Sequence, residues 1–243
     1  MEQAQQMHDY LPLAYRNPAE AEYIAFLWET FETNYQHGNY QFAMLAYHML
    51  CMSSMYVAVW QIRLALPDAF AQALLFQQEA QTLRSATSPF TFSKISERGV
   101  LKFLHLIGCD DAQIAQLGRL VAERNHMAHA NGNVFCRTQA AAQGKIENIL
   151  ARLHDVQTKI APLLQRCFER FLADNAHAEQ WEYAAAEDQV RGGFIQPYYL
   201  SPQDVAACLR QPVPPLANVS AARQLHSALH ACLLDTDLFA SAL

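Results

Sequence analysis

Along most of the chain, apolar residues recur every three or four positions and no stretch alternates with period two for long, which predicts helices throughout. The pattern places a first helix from about Ala19 to Asn34, opened by Asn17-Pro18 and broken by His37-Gly38-Asn39. A long helix follows from Tyr40 to about Leu66, then one from Asp68 to about Ser85, a loop over "SATSPFTFS", and a helix from Ser96 to Ile107 stopped by Gly108. Asp110, with Gln113 three residues on, reads as a capping box that opens a helix through about His129, and "NGN" at 131–133 ends it. Lys145 to Leu172 forms a long amphipathic helix, kinked near Pro162. Beyond Asp174 the texture changes. "AEQWEYAAAEDQ" reads as helix and "RGGF" at 191–194 as a loop turn, with phosphate contact its alternative; short helices near 202–210 and 221–233 form a packed tail. The class is all-α, an up-and-down four-helix bundle with additional short helices. The expected division is an N-terminal arm at 1–18, the bundle at 19–173 and a helical C-terminal appendage at 174–243.

A content of 52% hydrophobic residues in 243 suffices for a sizeable core. The formal charge of −6 argues against a general nucleic-acid coat, but the charge is uneven. From Ala112 to Arg152, Arg119, Arg124, Arg137, Lys145 and Arg152 stand against Glu123 and Glu147, a local basic island. From Leu172 onward three arginines face eight acids, so the appendage is acidic. It can repel RNA, cover a cleft or dock a basic partner. The cysteines at 51, 109, 136, 167, 208 and 232 show no CxxC pair and read as reduced thiols of a cytoplasmic protein. The uncharged span Phe42 to Trp60 could just cross a bilayer, yet His48, Ser53, Ser54 and the flanking Gln41 and Gln61 make it a poor lipid helix, and it reads as the central buried helix of a bundle or an oligomer face. No P-loop, GxGxxG or nucleophile elbow occurs, which removes most nucleotide-hydrolysing and acyl-transfer enzymes.

The chemistry gathers where the capped helix ends, in "VAERNHMAHANGN" at 121–133. The apolar stripe Ile114, Leu117, Val121 next meets Arg124, and an arginine on a core-facing stripe needs a partner or a crevice. Asn125 and His129 share a helix face, whereas Arg124 and His129 are about 140° apart and converge only if the helix ends or a second copy contributes.

Arg124-Asn125-His126-Met127-Ala128-His129 resembles the R-N-x-x-x-H signature of HEPN-domain proteins, over residues 20–172 or so. That resemblance implies metal-independent RNA cleavage at a site shared by two bundles, hence a homodimer, in toxin–antitoxin, abortive-infection or other anti-phage systems, with an antitoxin or defence-complex protein as partner. It implies catalysis by Arg124 and His129 with Asn125 in support, and no cofactor. His126, Arg119 and Arg137 are the expected RNA contacts. Histidine titrates near neutrality and suits proton transfer, and arginine suits a phosphate's developing charge. One departure stands out. The tyrosine that follows the motif histidine by two residues in toxins paired with nucleotidyltransferases is Asn131 here, so silencing by its modification is not expected.

Bland readings stand beside these. Cations suit a helix C-terminus because of its dipole. His126, His129 and Cys136 as zinc ligands lack a fourth member, and Glu123 with His126 lacks the second Glu-x-x-His that a di-iron bundle needs. His48, Cys51 and His105 read as satisfied core residues. The rival functions are a non-catalytic binding module of the same fold and a structural subunit of a larger complex.

Overall fold

A computed structural model describes residues 1–75, 79–130, 132–210, 212 and 219–234. The helices of eight residues or more are α1 (Pro18–Gln36), α2 (Tyr40–Ala65), α3 (Asp111–Ala128), α4 (Gln139–Asp174), α5 (Pro202–Leu209) and α6 (Val219–Leu234). No strand occurs among the described residues, so the class is all-α as expected.

Each of the main helices starts where local chemistry dictates. Asn17 accepts a hydrogen bond from the Ala19 amide at 3.0 Å and Pro18 occupies the first turn of α1, where its missing N–H costs nothing. The turn at 37–39 is tight because Gly38 adopts φ +74°, and it folds α2 back along α1. At α3 the Asp110–Gln113 capping box closes in both directions, at 2.8 and 3.0 Å. Thr138 caps α4, which therefore begins before Lys145 and runs on through Pro162 to Asp174.

Helix α2 is the axis of the fold, packed along α1 and α4 and touched by α3. By length and composition it could cross a membrane, but 83% of its apolar window is buried inside the fold, as in a core helix. The terminal segments that composition sets apart share this core: Met7, Phe194, Tyr199 and Leu225 are buried in the same cluster as Phe31 and Tyr47. Polar contacts fix them there. Leu13 N donates to Leu200 O at 2.8 Å, Trp60 Nε1 to Pro197 O at 2.9 Å, and Gln61 and Gln157 both donate to the buried Asp204 carboxylate, at 2.9 and 2.8 Å.

Several expectations need correction. The helix placed from Asp68 to Ser85 is two short ones, Pro67–Ala73 and Ala80–Arg84, on either side of residues 76–78, which lie outside the description. The loop at 85–93 winds a 3₁₀ turn, Pro89–Lys94, because Ser88 caps it and Pro89 presets its first turn. From Ser96 only Glu97–Leu101 is α-helical before 3₁₀ geometry takes over to Ile107 and Gly108 stops the chain at φ +82°. Residues 182–185 are bends rather than helix. "RGGF" is no loop turn but a π turn within a helical run from Ala186 to Tyr198. Its glycines serve packing: a Cβ on Gly192 would meet the Tyr183 ring at 2.6 Å, and one on Gly193 the Phe171 ring at 3.0 Å.

Candidate functional site

The end of α3 is pinned by a side chain from α2. Gln41 Nε2 donates to Met127 O at 3.0 Å, while its Oε1 accepts from the Phe135 amide at 2.8 Å, so one amide holds both the motif helix and the segment beyond it. Met127 is the buried anchor of this turn. The His129 amide makes the last intrahelical bond, to Asn125 O at 3.1 Å, and His129 itself is extended at φ −83°, ψ 143°, where the chain leaves the helix. The "NGN" stop therefore acts after the helix has ended; Asn131 itself lies outside the described residues.

Arg124 turns to a partner that the sequence pattern does not name. Its Nη2 contacts Glu97 Oε2 in an ion pair, and His48 Nε2 lies 3.5 Å from the same oxygen. Glu97 comes from the short helix Glu97–Leu101, whose start is fixed by Ser96 accepting from Gly99 N at 3.1 Å. The Arg124 and Glu97 side chains are 28% and 17% exposed, and His48 is buried. Arg124 Nη2 and His48 Nε2 close on the same buried carboxylate oxygen, while Arg124 Nε is buried without a hydrogen-bond partner. Burial pushes the Glu97 carboxyl up, but His48 and Arg124 outweigh it and hold the group below the ordinary glutamate value, so Glu97 is a carboxylate at neutral pH. Arg124 thus lies on the apolar stripe as expected and solves its burial by pairing.

His48 is buried as expected, yet it faces Glu97 and is not a self-contained core residue. Cys51 is an inert neighbour, its thiol pushed up to about 12 by burial and then by the Glu97 charge. His105 departs from the core reading altogether. It is 44% exposed, with Nδ1 2.8 Å from Cys109 O, because the 3₁₀ segment that carries it turns that face outward.

The remaining candidates are spread over the surface around α3. His129, His126, Arg119 and Arg137 are exposed and Asn125 is half-buried. The His126 ring lies 5.9 Å from that of Phe135, and Arg137 Nε donates to Val134 O at 3.2 Å. Glu123, on α3, pairs with Lys145, on α4, at 2.6 Å. Among the described residues no three His, Cys, Asp or Glu side chains are grouped to hold a metal ion.

Glu97 also lines an open groove of about 570 Å³ between α1, α2 and the segment at 88–97. Its walls are Tyr23, Tyr56, Phe90, Met49 and Met52, with Tyr23 and Phe90 edge to face at 5.7 Å. Burial, then the Glu97 charge, pushes the Tyr56 hydroxyl up to about 12, so it is a neutral donor. None of Arg119, Asn125, His126, His129 and Arg137 lines this groove.

Glu97 is the residue that sequence reasoning missed. A signal existed: an arginine on an apolar stripe demands an acid, and between Asp68 and Asp110 the chain offers only Glu79 and Glu97. Comparison of the chain with protein-family models, with curated proteins and with solved structures finds no match.

Proposed function

We propose that this protein is a metal-independent endoribonuclease that works as a homodimer, with Arg124 and His129 as catalytic residues and Asn125 in support. The observation that carries this reading is the layout of the end of α3. A guanidinium held in place by Glu97 precedes by five residues an exposed histidine at the point where the helix opens. In the reaction, a histidine takes the proton of the ribose 2′-hydroxyl as that oxygen attacks phosphorus. The bond to the leaving 5′-oxygen breaks and that oxygen receives a proton, giving a 2′,3′-cyclic phosphate and a 5′-hydroxyl. Arg124 stabilises the charge that builds on the phosphoryl oxygens. One copy supplies one well-placed acid/base, and a second across a two-fold axis supplies the other. Exposed Phe42, Val134 and Phe135 near this end give the copies apolar surface to share. His126, Arg119 and Arg137 would hold the RNA strand. The biological role that goes with such chemistry is a cytoplasmic growth-arresting or defence toxin restrained by a protein partner.

The test is incubation of end-labelled single-stranded RNA with the purified protein in EDTA, beside His129→Ala and Arg124→Ala. Cyclic-phosphate ends with the parent alone support the proposal; a 2′-deoxy substrate stays intact. The Arg124–Glu97 pair itself favours a second reading, a binding module of similar architecture, because a cation already neutralised has less charge to offer a transition state. RNA retained by all three proteins and cut by none would establish it.

A further inference from the structure

The groove beside Glu97 has the chemistry of a nucleobase pocket. We propose that it takes a base bearing an exocyclic amino group (guanine, cytosine or adenine), a reading that stands apart from the ribonuclease proposal. The walls are flat or pliant and apolar, with Tyr23, Tyr56 and Phe90 on offer for stacking and Met49 and Met52 to fill in around a ring. Among the described residues no lysine or arginine lines the groove, so a phosphate is not the ligand its walls suit. Two carboxylates do line it, and they differ. Both Glu20 oxygens are engaged, one by Ser88 Oγ at 2.5 Å and the other by Tyr199 Oη at 2.9 Å. Glu97 has no such hydroxyl donors. Its Oε2 is buried against Arg124 and His48, and no hydrogen bond among the described residues reaches Oε1, so the acceptor left to the groove is the second oxygen of this carboxylate.

A carboxylate accepts an amino N–H well and repels carbonyl oxygens. Guanine, cytosine and adenine each present an amino group on the Watson–Crick edge, whereas uracil presents one N–H between two carbonyls.

The experiment is a saturation-transfer NMR titration of the full chain in EDTA with guanosine, cytidine, adenosine, uridine and tetramethylammonium. The amino-bearing nucleosides should bind about ten- to a hundredfold more tightly than uridine, the worth of one hydrogen bond to a charged group. Glu97→Gln should erase that preference. Tyr23→Ala, at an exposed wall position and therefore safe for folding, should weaken all four nucleosides alike. Equal binding of uridine, no nucleoside binding, or tighter binding of tetramethylammonium, which would mark an organic-cation site, each overturns the proposal. Base preference without RNA cutting sinks the ribonuclease and leaves the pocket; cutting without nucleoside binding does the reverse.

Discussion

Replacing Arg124 and Glu97 singly and together measures how firmly the site is built into the fold. Their side chains are 28% and 17% exposed, so the pair lies between two known regimes. Exposed ion pairs contribute about 0–1 kcal/mol, while breaking a fully buried one costs about 3–5 kcal/mol. Arg124→Ala leaves the less exposed carboxylate facing only His48, and its cost should be about 2 kcal/mol. Glu97→Ala leaves a guanidinium on a long stem that can swing to water, and should cost about 1 kcal/mol. With both removed no charge is stranded, and a total near 1.5 kcal/mol leaves a coupling of about 1.5 kcal/mol. In a chain of this length each kcal/mol moves Tm by about 2–4 °C, so Arg124→Ala alone should melt about 4–8 °C early. Urea unfolding of the four proteins at pH 7 gives the cycle directly. The same series in acid checks its origin. The folded pKa of Glu97 lies below the unfolded value, so its contribution is present above the unfolded pKa and is lost as pH falls through the folded one. The coupling should therefore shrink progressively below about pH 4. Additive single variants at pH 7, within about 0.3 kcal/mol, would refute the reasoning, as would a coupling that acid leaves untouched.

Asp204→Ala should cost about 3–5 kcal/mol by urea midpoint, because Gln61, Gln157 and the Ser201 amide lose their acceptor at 2.8–2.9 Å inside the core; a loss under about 1 kcal/mol would show that they re-pair. Burial raises the Asp204 carboxyl, so its favourable share is present in acid and lost as pH rises; the stability gap between the parent and Asp204→Asn should narrow from pH 4 to pH 7, and a widening gap would reverse the sign. Gln41→Ala removes both bonds that pin the end of α3, and amide exchange at Phe135 should quicken at least tenfold while α1 stays protected; unchanged exchange would mean that the Gln41 clamp is idle. Gly193→Ala should cost about 1–3 kcal/mol against the Phe171–Phe194 stack, and Gly192→Ala under about 1 kcal/mol because Tyr183, 38% exposed, can move aside; equal costs in thermal melts would contradict the packing account.

The elements legible in the sequence are those whose signals are local. The Asp110–Gln113 capping box, the Asn17-Pro18 start and the Gly38 and Gly108 stops act within a turn or two of chain, and they set the ends of α1 to α3 to within about two residues. Elements decided by tertiary contact were illegible. "RGGF" carries two residues that break helices in isolation, yet it is helical here, in a place where the missing Cβ atoms leave room for the rings of Tyr183 and Phe171. Composition marks 174–243 as acidic, and charge is a property of the exposed face. Burial of Phe194, Tyr199 and Val205 depends on α2 and α4 and leaves no trace in net charge.

The same distinction applies inside the site. Arg124 was legible because a cation interrupts an apolar period, and the need for a partner followed from the cost of burying it. The partner was not, because Glu97 lies 27 positions earlier in a five-residue helix whose own pattern says nothing about α3. His48 reads as core on its helix and is core by burial, yet it is the side chain that gives Glu97 a second nitrogen neighbour, at 3.5 Å. Residues that act on a ligand only through another side chain answer to geometry rather than to periodicity. A motif therefore marks the groups that face outward, such as His129, and leaves unmarked the carboxylate that decides where the arginine points.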